Sequence, residues 1–98
     1  MILTWSEEKE RRNLRKHGLG FSLAELVLAD PLAVTAFDRV VDGEERWHTV
    51  GGVPAGGSFR VLLVVHSFPE PYDEAHIRII SLRQADTRER RRYENHPL

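Results

Sequence analysis

The 98-residue sequence contains no cysteine. That excludes a disulfide framework and any thiolate metal site, and it fits a reducing cytoplasm as the expected location. No apolar run approaches the roughly 20 residues that span a bilayer, so no membrane role is expected. The opening residues, Met1 to Glu8, lack the basic head and apolar middle of a signal peptide. Neither a His-x-x-x-His pair nor an EF-hand spacing occurs, so neither a metal nor another cofactor is expected. The glycines from Gly51 to Gly57 read as a turn; no lysine follows them and no helix opens there, so they are not a phosphate loop. Ser67 and Ser81 lack the context of an activated nucleophile. Internal repeats, low-complexity stretches and linkers are also missing, which leaves a single domain over residues 1–98.

What is present is an ordinary globular composition, 41% hydrophobic and 30% charged, with a net charge of −1. The charge is unevenly spread. Residues 1–17 carry five Lys/Arg against three Glu, residues 18–75 three Arg against nine acids, and residues 76–98 six Arg against three acids. Basic ends that meet in the fold would offer one face to a polyanion.

The pattern predicts an α+β fold. Residues 1–5 admit a short extra strand. Thr4 and Ser6 are both credible caps for a largely charged surface helix that runs to Lys16 and stops at His17-Gly18. Ser22 and Glu25 form a second capping box, and Asp30-Pro31 ends that helix. Strands follow at Leu32–Phe37, Glu45–Val50, Phe59–Ser67 and His76–Arg83, with a loop longer than two residues expected at Asp42-Gly43. Asp86 opens a C-terminal helix by a capping signal with Glu89. The economical arrangement is a four-stranded antiparallel meander with its helices on one face.

The stretch from His76 to Gln84 is the most informative. It alternates like a strand, yet it carries Arg78 and Arg83 among its isoleucines. If the hairpin before it closes symmetrically, His66 faces His76, and both join Arg78 on one face, with Arg60 farther along. Two imidazoles and a guanidinium can cleave RNA without a metal. One imidazole removes the 2′-hydroxyl proton, the other protonates the departing 5′ oxygen, and the arginine spreads charge over the phosphorane. Any one of the five histidines is more often a harmless cap or rim residue, and Arg78 could instead serve an ion pair. Trp5 and Trp47 read as core aromatics.

Four segments in order resemble the BrnT family, the toxin half of type II toxin–antitoxin pairs. They are Lys16-His17-Gly18 with Phe21, then Asp30-Pro31-Leu32-Ala33, then Asp42 to Trp47, and finally Arg78-Ile79-Ile80-Ser81 with Arg83. The resemblance runs from Trp5 to Tyr93. It implies a RelE-like fold of two N-terminal helices, a four-stranded antiparallel sheet and a C-terminal helix. It also implies an RNA-cleaving, translation-inhibiting toxin. The expected partner is a BrnA-like ribbon-helix-helix antitoxin, two copies of each in the complex, with operator DNA bound only through the antitoxin. Arg78, Arg83, Arg46, Lys16 and His17 match family motif positions, whereas His76 and Leu82 depart from the usual Glu and Ala.

Taken together, the expected catalytic residues are Arg78, His76, His66 and Arg83, and the expected RNA contacts are Arg46, Arg60, Lys16 and His17. Arg88, Arg91 and Arg92 of the last helix are expected to bind a partner. A non-catalytic module that docks a small protein on its sheet and basic terminal helices is the alternative.

Overall fold

The computed structural model describes residues 1–95; His96, one of the five histidines weighed above, lies outside them. β1 (Ile2–Thr4) leads into α1 (Glu7–His17). Ser6, not Thr4, is the cap, its hydroxyl accepting the Lys9 N–H at 3.3 Å. Acidic residues fill the first turn and Arg15, Lys16 and His17 the last, both in accord with the helix dipole. Gly18, at φ 71°, closes the helix.

A 3₁₀ turn (Phe21–Leu23) and α2 (Ala24–Ala29) follow. The capping box expected from Ser22 does not form; Glu10 of α1 reaches across and accepts the Phe21 N–H at 2.8 Å instead. The chain enters this helix through a tighter turn, so a neighbouring helix supplies the cap.

Four longer strands come next: β2 (Val34–Val41), β3 (Glu44–Ala55), β4 (Ser58–Ser67) and β5 (His76–Gln84). The connection at Asp42-Gly43 has only two residues, correcting the longer loop expected there. Both have positive φ, 51° and 79°, which gives the type I′ geometry that suits strand twist. Gly51 and Gly52 belong to β3 and not to a turn. A Cβ on Gly51 would sit 2.5 Å from the Val27 carbonyl oxygen, and one on Gly52 would sit 2.8 Å from the Tyr93 hydroxyl. Glycine here lets helices approach the strand from both sides.

The strand order is β1-β5-β4-β3-β2, with β1 parallel to β5 and the other neighbours antiparallel. The short extra strand admitted at residues 1–5 forms as β1, and because it runs parallel to β5 the sheet is five-stranded and mixed where a four-stranded antiparallel sheet was expected. One face buries Leu62, Val64, Ile77, Ile79 and Leu82 against Phe21, Ala24 and Val27. The other buries Val50, Val61 and Leu63 against Tyr93 of α3 (Thr87–Glu94). Helices thus cover both faces, contrary to the one-sided arrangement expected. The capping box of α3 forms as read: Asp86 accepts the Glu89 N–H at 2.8 Å and Glu89 accepts the Asp86 N–H at 2.9 Å.

Two polar devices lock this frame. β1 covers β5 only as far as Arg78, and farther along α1 takes over. The Asn13 amide accepts the Leu82 N–H at 3.0 Å and donates to the Leu82 and Leu19 carbonyls at 2.8 and 2.9 Å. On the β2 side, the Asp30 carboxylate accepts the Gly52 N–H at 2.7 Å, the Tyr93 hydroxyl at 2.5 Å and the Leu32 N–H at 3.0 Å. The Asp-Pro pair thus does more than end a helix: it ties the loop after α2, the β3 backbone and α3 together.

The β4–β5 pairing carries a bulge. Val65 pairs with Ser81, but His66 pairs with Ile79, so Ile80 is the extra residue. That residue inverts the alternation. Leu82 joins Ile77 and Ile79 on the core face, and Arg83 comes onto the same side of the sheet as Arg78.

Candidate functional site

α1, β3 and β5 enclose a cleft of about 480 Å³. Lys9, Arg12 and Lys16 reach it from one face of α1, being three and four residues apart. His17 joins them from the last helical turn, where Gly18 stops the helix. β3 contributes Arg46, while β5 contributes Ser81 and Arg83. Six basic side chains line the cleft and no carboxylate does.

Their partners differ. Arg12 is paired with Glu8 at 3.0 Å, well exposed to solvent. Arg83 makes a two-pronged bond to Glu89 at 2.8 and 2.9 Å. That bond holds the guanidinium firmly charged and pulls the Glu89 carboxyl below its usual range. Arg46 has no ion-pair partner among the described residues, and its Nε is buried without a hydrogen bond. Partial burial, then the charges of Lys16 and Arg83, hold His17 below the ordinary imidazole value of 6.5. The cleft therefore combines fixed cations with one imidazole that favours its neutral form. Such a site can hold a phosphodiester and accept a proton beside it.

The structure thus gathers Lys16, His17, Arg46 and Arg83. It does not assemble His66, His76 and Arg78. The hairpin closes three residues away from the symmetric register, with His66 opposite Ile79 and Ser67 opposite Arg78. An odd offset turns one strand over relative to the other. His66 consequently points into the core, 1% exposed, with Nε2 bonded to Thr49 Oγ1 at 2.7 Å and its ring against Phe68. Burial, and secondarily His48, lowers its pKa to about 4. It cannot meet a substrate.

His76 does share the outer side of β5 with Arg78, but it bonds Thr4 Oγ1 at 3.0 Å, beside β1. Arg78 pairs with Glu44 at 2.7 Å and is about half exposed. Arg60 lies apart, exposed and within 3.5 Å of Gln84. Arg88, Arg91 and Arg92 are exposed on α3 and make no ion pair among the described residues. Sequence reasoning missed Lys9, Arg12, Asn13 and the presence of Ser81 in the cleft. The spacing of Lys9, Arg12 and Lys16 was the available signal, since it puts three cations on one helix face.

The sequence profile of the ribonuclease toxin, BrnT, of type II toxin–antitoxin systems matches residues 5–89. The chain belongs to the BrnT family. The match runs from Trp5 into α3, so every residue of the basic cleft lies inside it. A type II BrnT toxin implies an antitoxin partner. A comparison with curated proteins found no match. Among the described residues no helix is long and apolar enough to cross a membrane, and no three His, Asp or Glu side chains gather as metal ligands.

Proposed function

We propose that this BrnT-family chain is a metal-independent endoribonuclease with a RelE-like toxin domain, which cuts RNA in the cytoplasm and thereby inhibits translation. The observation that carries the reading is the cleft in which Lys9, Arg12, Lys16, His17, Arg46 and Arg83 converge without a carboxylate. The scissile phosphate lies between Arg46 and Arg83. His17, neutral at physiological pH, removes the proton of the 2′-hydroxyl. The 2′ oxygen attacks phosphorus, the bond to the 5′ oxygen breaks, and a proton passes to that leaving oxygen from Lys9 or Lys16. The products are a 2′,3′-cyclic phosphate and a 5′-hydroxyl. Guanidinium bonds to the nonbridging oxygens strengthen as the phosphorane gains charge. Arg78, on the same side of the sheet, contacts the neighbouring phosphate when it leaves Glu44.

A BrnA-like ribbon-helix-helix antitoxin, in a complex of two toxins and two antitoxins, closes off this activity, and operator DNA is reached only through it. The exposed Arg88, Arg91 and Arg92 support an antitoxin contact on α3.

The test is cleavage of a 5′-labelled RNA by purified protein in excess chelator. Wild type is expected to leave 2′,3′-cyclic ends, and Arg46→Ala and Arg78→Ala to be impaired. Absence of cleavage, dependence on added metal, or full activity in Arg46→Ala would overturn this mechanism.

A further inference from the structure

A second and larger cavity, about 940 Å³, opens between the β2–β3 turn and the β4–β5 loop. It shares no lining residue with the basic cleft, and its chemistry is the reverse. Trp47, Phe68 and Tyr72 supply aromatic walls, and no lysine or arginine lines it. Trp47 and Phe68 are held edge to face, their centroids 5.9 Å apart, while the Tyr72 ring stands fully in solvent.

Five carboxylates rim these rings. Three are engaged within the molecule: Glu44 with Arg78 at 2.7 Å, Glu70 near His76 at 3.9 Å, and Asp73 with the Ala75 N–H at 3.0 Å. Glu45 and Glu74 are exposed and have no ion-pair partner among the described residues. A groove that combines unpaired carboxylates with ring faces matches one side chain best. Arginine can bond a carboxylate through its planar fork and stack on an aromatic ring, whereas lysine presents a strongly hydrated point charge. The volume lies within the roughly 300–1,000 Å³ of ordinary ligand clefts.

We propose that this groove docks an extended, arginine-bearing segment of a partner protein. Glu45 and Glu74 take the guanidinium groups, and Trp47, Phe68 and Tyr72 cover the apolar stems. The groove and the basic cleft have no lining residue in common, so docking is measured apart from cleavage; among the described residues the Glu44–Arg78 ion pair is the one that links the groove to a proposed RNA contact.

The probe is a fluorescein-labelled eight-residue peptide of alternating Arg and Ala, titrated with the full chain and followed by fluorescence polarisation. Saturable binding is expected, and Lys-Ala peptide should bind more weakly. The double variant Glu45→Gln/Glu74→Gln should weaken binding about 10-fold, and Tyr72→Ala about 3-fold. The control Glu25→Gln/Glu94→Gln, which neutralises exposed carboxylates elsewhere, should leave affinity unchanged, and RNA cleavage should persist in both double variants. Equal losses in the two double variants would mean general charge attraction and overturn the proposal, as would no loss in either. If sedimentation shows a dimer of wild type that Glu45→Gln/Glu74→Gln dissolves, the occupant is a second copy and the proposal fails.

Discussion

Asn13 bonds both main-chain groups of Leu82, accepting from its N–H at 3.0 Å and donating to its carbonyl at 2.8 Å. One side chain on a helix thereby occupies the place of a neighbouring strand. Asn13→Ala leaves buried backbone groups of Leu82 and Leu19 unpartnered, each worth about 1–3 kcal/mol. A loss of about 3 kcal/mol in urea unfolding is expected. Asn13→Leu should not restore it, because shape without hydrogen bonds leaves the same groups bare. Since α1 also carries Lys9, Arg12 and Lys16, RNA affinity should fall alongside stability.

The Asp30–Tyr93 bond offers a separable test on the other side of the molecule. Burial alone would raise the Asp30 carboxyl, but the bonds from Tyr93, Gly52 and Leu32 hold it below its usual value. Burial and the same bond push Tyr93 up to about 12. Tyr93→Phe should cost about 1.5–3 kcal/mol, the range for a hydrogen bond to a charged group. Gly52→Ala should cost at least as much, since its Cβ meets the Tyr93 hydroxyl at 2.8 Å. Thermal unfolding of the two variants checks both, and the double variant should be less than additive because they share a contact.

His66 makes stability depend on pH. Its folded pKa of about 4 lies below the ordinary 6.5, so the unfolded chain binds the extra proton. The contribution is fully present above pH 6.5 and is lost as the pH falls through the window down to about 4. The expected loss from this group is about 3 kcal/mol across that window. Urea unfolding at several pH values should show the acid slope, and His66→Gln should flatten it.

Activity should follow a different imidazole. His17 is held below 6.5, so cleavage should rise with pH through a value lower than that of free histidine and then level off. His17→Asn should remove this limb and reduce the maximal rate by about 10²–10⁴. Arg46→Ala should lower the rate by about 10²–10³ without moving the limb, since it stabilises charge and transfers no proton. Single-turnover cleavage measured from pH 5 to 8 distinguishes the two.

Much of this could be read from the residues because local physics governed it. Ser6, Gly18, Asp86 and Glu89 cap helices by short-range bonds. The family segments marked Lys16, His17 and Arg46 as RNA contacts and Arg83 as a catalytic residue, and nothing in their spacing showed that these four meet in one cleft. The catalytic cluster failed on register. The eight residues from Phe68 to Ala75 close the hairpin off centre, and the bulge at Ile80 inverts the alternation that decides where arginines point. Asn13 was invisible for another reason: a polar residue in a charged helix looks solvated until the strand it serves is known.

The sheet has very unequal borders. β1 presents three residues at one side, and beyond them the Asn13 amide occupies the bonds that another strand would need. β2, at the opposite border, presents eight. Strand addition is therefore directional in this molecule. Two copies joined along β2 would spend the long border of each, and a third would find no comparable place to attach. Assembly by edge pairing would stop at a pair, where a sheet with two long borders could grow into a fibre.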